Sequence, residues 1–393
     1  MEMETSATPK NILDYVKDFL HDSRSIGIVL FFCTFISLIV TNSSIGPYYG
    51  QLLSRHLPAM EAAHLPHSIK HWINDGLMAV FFFLVGMEIK RELLMGELSS
   101  LRKAVLPIGA AIGGMLVPAF IFMLFNRGTI YHNGWGIAMA TDIAFSLGVA
   151  SLLGGRFPVS LKIFLMALAI IDDLGAILVL AFFYGEAING WWLAGAGIML
   201  VLLYILNQKE IRFGILHLLL GLLLWYCMFN SGIHATIAGV LFAFMIPREQ
   251  LKTIEYAIHD AVNFIILPLF ALTNTAILLQ TGLFNQLGST LTIGIILGLF
   301  LGKPIGVMLA SWLLVKRRFA RLPNDVSWKQ LGGAGILAGI GFSMSIFMAS
   351  LAFKEEQLQD ISKIAILMGM ILSVITGAVW MNLVSKPARE NTG

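Results

Sequence analysis

The sequence predicts an all-α polytopic membrane protein, and three observations carry that prediction. Of 393 residues, 57% are hydrophobic and only 12% are charged, about half the charged fraction of roughly 25% that soluble domains carry. Mean hydropathy is +0.81. The apolar residues also gather into twelve segments, approximately 25–43, 71–88, 104–125, 135–154, 158–184, 190–207, 211–229, 231–247, 256–280, 287–314, 331–353 and 361–385. Each is close to the ~20 residues that a helix needs to cross the hydrocarbon core. No run of ten residues alternates apolar with polar, as a barrel strand would, and only a helix or a closed barrel satisfies its backbone in lipid.

Taken in order, the elements differ in what interrupts them. Residues 1–24 precede the first span, contain Asp14, Asp18 and Asp22 and lack an A-x-A cleavage pattern, so they are expected to stay attached as a cytoplasmic tail. Within them Thr8-Pro9 resembles an N-cap and first helical residue, and Ile12, Val16, Phe19 and Leu20 share one face, which predicts a short interfacial helix. Spans one and three are plain apolar runs, whereas span two carries Asp75 and Glu88 toward its ends. Span four has Thr141-Asp142 at its centre, and span five reads AIIDDLGAI from Ala169 to Ile177, with two adjacent acids in an otherwise apolar helix. Span ten repeats glycine at Gly294, Gly298, Gly302 and Gly306, a bare stripe that lets another helix approach, and sets Lys303-Pro304 beside it. Span eleven is broken by Gly339-Ile340-Gly341. The chain thus divides into the tail, a transmembrane domain over 25–385 and a short C-terminal tail over 386–393. Cys33 and Cys227 each lie in an apolar run, which reads as packing and not as a disulfide or a metal site.

Charge placement sets the orientation. With the N-terminus inside, twenty of the 26 Lys and Arg fall in cytoplasmic segments, while Arg55, Lys70, Arg127, Lys354 and Lys363 fall outside. By the positive-inside rule both termini are cytoplasmic. The net charge of +3 is small and scattered over loops, which excludes a nucleic-acid-binding face.

The one remaining cation, Lys303, lies at membrane depth together with Asp142, Asp172 and Asp173. A charge at a helix centre costs on the order of 2.5–3.5 kcal/mol even on the lenient insertion scale, so each must face the bundle interior or water. One Asp–Lys pair can be purely structural. Three carboxylates and one amine cannot, because two negative charges are left over, and a cation or protons must complete the balance. Asp172 and Asp173 are about 100° apart on their helix, so both can point at one cavity only if that cavity is wide and wet. The broken spans four and eleven continue alike, as Ile143-Ala-Phe-Ser146 and Ile340-Gly-Phe-Ser343. Paired interruptions of this kind mark the midplane site of transporters, where exposed half-helix ends meet ions. Ser146 and Ser343 themselves are expected to bond back to their own helices.

The stretches INDGLMAVFFFLVGMEIKREL (73–93), ATDIAFSLG (140–148), LKIFLMALAIIDDLGAI (161–177), SGIHATIAG (231–239), ILPLFALTN (266–274), LGKPIG (301–306) and GILAGIGFSMSIF (335–347) closely resemble the bacterial NhaA-type sodium/proton antiporters. The resemblance covers almost the whole chain. It implies twelve helices, with spans three to five and ten to twelve as inverted-topology repeats whose interrupted middle helices, four and eleven, cross near the midplane. It implies that Asp172 and Asp173 bind the transported Na⁺ with Thr141, that Asp142 lies beside the crossing, and that Lys303 pairs with Asp172. It places a pH-responsive cytoplasmic funnel on Glu88, Arg91, Glu92, Glu255 and His259, with His234 near by. The chain departs from the family pattern over 44–70, where HLPAMEAAHLPHSIKHW carries Pro58 and Pro66 and lacks the alternation of a dimerising β-hairpin.

The implied function is secondary transport without enzymatic chemistry or a cofactor: cytoplasmic Na⁺, and Li⁺ with it, exchanged for external H⁺ in the inner membrane. The partners are then these ions and the surrounding lipid, and a homodimer is left open by the altered loop. Two carboxylates can hold two protons or one dehydrated Na⁺, and that competition is antiport. A passive cation channel would spread its acids along a pore, not confine them to one crossing. An intramembrane aspartyl protease would need the G-x-G-D type of motif, which is absent, and a charged Lys303 would upset its shared proton.

Overall fold

The structure, a computed structural model, describes residues 23–185, 187–279, 286–323 and 325–385 together with Gly282. The helix expected over Thr8–Leu20 and the tail 386–393 lie outside these. The described residues are helical throughout, with no strand beyond one isolated antiparallel bridge between His56 and Ser68.

The helices, in order, are α1 (Ser23–Thr41), α2 (Gly46–Ser54), α3 (Ile69–Met95), α4 (Leu101–Asn126), α5 (His132–Met139), α6 (Ile143–Leu152), α7 (Val159–Phe183), α8 (Gly190–Gln208), α9 (Ile215–Asn230), α10 (Ile237–Met245), α11 (Arg248–Asn274), α12 (Thr290–Lys316), α13 (Trp328–Ala338), α14 (Phe342–Ala352) and α15 (Glu356–Val384). Among the described residues, eight stretches are long and apolar enough to cross a membrane, α5 and α6 together forming one of them. The count rises to ten if the bent pairs α1–α2 and α13–α14 are each one crossing. The chain is therefore a multi-pass membrane protein. Two of the twelve apolar segments form helices that fall short of a full crossing. The segment over 231–247 spends its first residues in a turn around Gly232, whose φ is +85°, leaving α10 only 9 residues. Its predecessor, α9, has 16 residues.

The loop 44–70 contains α2 and a short turn of helix at Pro58–Ala62. Pro58 opens that turn of helix, and no hairpin ladder forms among the described residues of this loop. Cys33 and Cys227 are partly buried free thiols.

The glycine stripe of α12 packs onto α4. A Cβ on Gly306 would stand 2.1 Å from the Gly113 carbonyl oxygen, and one on Gly113 would stand 2.3 Å from that of Gly306, so the two backbones touch. Gly302 meets Pro118 in the same way. Small residues substitute for the hydrophobic effect here, because lipid is as apolar as leucine and helices associate by close packing. Just before Lys303 the helix widens into π-helical hydrogen bonding over Gly298–Gly302. Pro304 lacks the N–H that would close the turn below it, and the glycines let the backbone open. The stripe thus fixes the depth of Lys303, while the proline loosens the helix beside it.

Candidate ion-binding site

The two broken helices meet backbone to backbone. The chain leaves α5 at Met139, runs extended through Ala140 to Asp142 and re-enters helix at Ile143. Likewise α13 ends at Ala338, and α14 starts at Phe342 after a bend of 45°. The Asp142 N–H donates to the Ile340 carbonyl at 2.7 Å, and the Ser345 hydroxyl donates to the Ile137 carbonyl at 2.7 Å. Each helix N-terminus leaves backbone N–H groups unsatisfied and carries partial positive charge. Asp142 answers both: its Oδ1 accepts the Phe145 N–H of its own helix at 2.9 Å, and its Oδ2 accepts the Ser343 N–H of α14 at 2.9 Å. One carboxylate caps two helices that are far apart in sequence.

Ser343 departs from the sequence reading. Its hydroxyl donates not to its own helix but across the crossing to Asp142 Oδ2, at 2.5 Å. The reason is position: Ser343 is the second residue of α14, where no carbonyl four residues back belongs to the helix. The Gly339-Ile340-Gly341 break was the signal that put Ser343 in a first turn. Ser146 does bond back, to the Ile143 carbonyl at 3.3 Å.

The α7 acids sit against this crossing and are completely or almost completely buried. Asp172 Oδ2 accepts from Lys303 Nζ at 2.5 Å and lies 2.7 Å from Thr141 Oγ1. The Thr141 hydroxyl is also 2.8 Å from the Ala338 carbonyl, and with one proton it donates to one acceptor at a time. Thr141 therefore joins α7 to both broken helices. The other carboxylate oxygen of Asp172 and Oδ1 of Asp173 are buried with no hydrogen-bond partner among the described residues. A buried carboxylate oxygen without a donor is costly unless a proton or cation supplies the missing interaction.

Asp173 and Asp142 face a cavity of about 530 Å³ whose wall also includes Glu88, Arg91, Glu255 and His259. Asp172 is set behind it with Lys303. Five of the carried-over residues thus meet at the crossing, and four of the six funnel residues line the cavity that leads to it. The other two are placed elsewhere. Glu92 is buried, ion-paired to Arg91 at 3.0 Å and accepting the Glu97 N–H at 3.0 Å, so it braces the end of α3. His234 has a ring nitrogen 2.8 Å from the Tyr184 carbonyl, at the C-terminal end of α7, because the turn that shortens α10 carries it there. Arg91 Nε and Glu255 Oε2 are 3.0 Å apart, an ion pair in distance that is not aligned as a hydrogen bond.

The sequence reading passed over Lys252, Tyr256, Asp260 and Asn263, which line the cavity with Glu255 and His259. All six are on α11 at spacings of three and four, the mark of one helix face. That periodicity was readable, though nothing in it says that the polar face looks into the protein and not into water.

The profile of a family described as Na⁺/H⁺ antiporter 1 matches residues 17–381. A Na⁺/H⁺ antiporter NhaA 2 of Flavobacterium johnsoniae is 48% identical over 381 residues, covering 95% of this chain and 93% of that protein. The Na⁺/H⁺ antiporter NhaA of Cytophaga hutchinsonii is 45% identical over 382 residues, covering 95% and 97%. That of Aliivibrio salmonicida is 44% identical over 380 residues, covering 94% and 98%. A match over nearly the entire length, with the acids, the amine and both helix breaks converging on one buried crossing, identifies the chain as a member of the Na⁺/H⁺ antiporter 1 family.

Proposed function

We propose that this protein exchanges cytoplasmic Na⁺ for external H⁺ across the bacterial inner membrane, for sodium and pH homeostasis. The observation that carries the reading is the charge surplus at the crossing. Lys303 balances one carboxylate, Asp172, while Asp173 and Asp142 face the cavity of about 530 Å³ and Asp173 presents an oxygen with no donor among the described residues. Protons or one dehydrated cation meet that need, and they exclude each other.

In the mechanism Asp172 and Asp173 hold Na⁺, as transported substrate, with Thr141 oxygen as a supplementary ligand. Asp142 spans both broken helices, so it holds the half-helix ends together beside the ion. Two protons against one Na⁺ move net charge, which makes the cycle electrogenic and driven by the membrane potential. Li⁺, with the same charge and a preference for oxygen, is carried too. Twelve crossings, with α9 and α10 as the two short ones, inverted repeats around the two breaks, and both termini in the cytoplasm complete the architecture. The cavity then opens to the cytoplasm, and Glu88, Arg91, Glu255 and His259 set its response to pH, with Glu92 acting through Arg91. A homodimer, if formed, uses a surface other than a β-hairpin in 44–70.

Everted membrane vesicles from cells lacking other sodium exchangers test this reading. Addition of Na⁺ or Li⁺ is expected to discharge a preformed proton gradient. A sodium flux that leaves the proton gradient untouched would point to a passive channel and overturn the proposal.

A further inference from the structure

The stretch HLPAMEAAHLPHSIKHW, which runs from the departing loop into the start of α3, carries four of the chain's nine histidines, His56, His64, His67 and His71. Three of them form a row. The ring centroids of His56 and His67 are 5.8 Å apart and those of His67 and His71 are 4.7 Å apart. Both ends of the row are held by carboxylates: His56 Nε2 lies 2.9 Å from Glu61 Oε2, and His71 Nε2 lies 2.9 Å from Asp75 Oδ2. At the centre, His67 Nδ1 and His71 Nδ1 are 3.3 Å apart.

We propose that His67 and His71 form a site for a first-row transition-metal ion such as Zn²⁺, oriented by Asp75. Two nitrogen ligands about 2.0–2.1 Å from one tetrahedral metal stand roughly 3.3 Å apart, the separation already present between the two Nδ1 atoms. A metal-binding histidine characteristically donates its other ring N–H to a carboxylate, which fixes the tautomer and turns the lone pair toward the ion. Asp75 stands where such a carboxylate is needed, its Oδ2 2.9 Å from His71 Nε2 as an ion pair in distance, and the Phe229 ring, 5.5 Å away, packs against the same imidazole.

The backbone around the pair is built rather than loose. The Leu57 N–H donates to the His67 carbonyl at 2.8 Å, and Ser68 caps the helix turn that carries His71, accepting its N–H at 3.2 Å. Tyr226 and Asn230 of α9 donate to the carbonyls of Ala63 and His64. Among the described residues no three His, Cys, Asp or Glu side chains converge on one point, so the site is a two-histidine site completed by water or by a turn of the neighbouring His56 ring. His67 is exposed and His71 half-buried, which leaves room for those ligands. Imidazole pairs select Zn²⁺, Cu²⁺ and Ni²⁺ over Mg²⁺ and Ca²⁺, which prefer oxygen.

A bound ion would staple the loop to the start of α3, the helix whose other end carries Glu88 and Arg91. The experiment uses the purified full-length protein, stripped with chelator, and Zn²⁺ as the probe, followed by calorimetric titration and by thermal unfolding. The expected result is one equivalent of Zn²⁺ bound and a raised Tm. Binding should weaken at least tenfold in His67→Ala and in His71→Ala, and about 10–100-fold in Asp75→Asn, with Mg²⁺ inert. His132→Ala, a substitution elsewhere on the surface, should leave binding unchanged. The more conservative His67→Gln and His71→Gln keep the test open should an alanine variant fold poorly. Zn²⁺ binding that survives the double substitution of His67 and His71, or no binding at a tenfold molar excess of Zn²⁺, overturns the proposal.

Discussion

Asp172 and Asp173 are neighbours in sequence, yet their surroundings divide the labour between them. Asp172 is engaged by Lys303 and Thr141, and Asp173 faces the cavity. Asn in place of either acid keeps the shape and removes the charge that a cation needs. Asp172→Asn and Asp173→Asn are therefore expected to fold in the membrane and lose Na⁺-dependent proton movement at Na⁺ near the wild-type apparent affinity, measured in vesicles. Near-normal exchange by either one would remove it from the site. Lys303 calls for a different outcome. Removing one partner of a buried pair costs about 3–5 kcal/mol, because the other charge is left without compensation. Lys303→Ala is expected to lower Tm markedly and Lys303→Arg to lower it less, with exchange still electrogenic in both. Electroneutral exchange by a folded Lys303→Ala protein would instead make the amine one of the two proton carriers.

At the scale of elements, the site depends on one close helix pair. α12 delivers Lys303 to Asp172 only because Gly302 and Gly306 let its backbone rest on α4 at Pro118 and Gly113. A side chain on Gly306 would collide with a carbonyl oxygen, which cannot turn aside as a flexible side chain would. Gly306→Val is expected to push the helices apart, at a cost of about 1–3 kcal/mol or more, and to lower exchange by misplacing Lys303 without touching any ion ligand. Gly282, with no atom of the described residues within 4 Å of its Cβ position, should accept alanine with neither effect. Thermal unfolding and vesicle exchange on the two variants check this, and wild-type behaviour of Gly306→Val would mean that the contact is looser than described.

For the whole molecule, the question is how the cavity passes the pH of the solution to the crossing. In the proposed mechanism protons and Na⁺ compete at Asp172 and Asp173, so acid alone is expected to lower the apparent Na⁺ affinity and excess Na⁺ to restore the rate. The cavity wall adds groups of its own: Glu88 and Glu255 near Arg91, and the imidazole of His259. Glu88→Gln, Glu255→Gln and His259→Ala are expected to move the pH at which the maximal rate falls, not merely the Na⁺ affinity at each pH. Profiles that overlay the wild type, with full rate regained at low pH under saturating Na⁺, would show that competition at the two aspartates suffices.

Residue order alone was enough for the all-helical membrane class and for naming the residues that the fold then brings together at the crossing. A charge inside an apolar run is so expensive that its presence is informative without coordinates: Asp142, Asp172, Asp173 and Lys303 stood out on that ground alone. The helix breaks were legible too, since the Gly339-Ile340-Gly341 break can be read along one stretch of chain. Tertiary structure decided which group meets which. That Asp142 caps two helices, that Ser343 bonds across the crossing, and that Lys303 takes Asp172 and leaves Asp173 to the cavity are pairings between distant segments. It also decided that Glu92 braces a helix end and that His234 stands at the far end of α7. Local composition states that a polar residue needs a partner; only the packing of helices onto one another supplies the partner's identity.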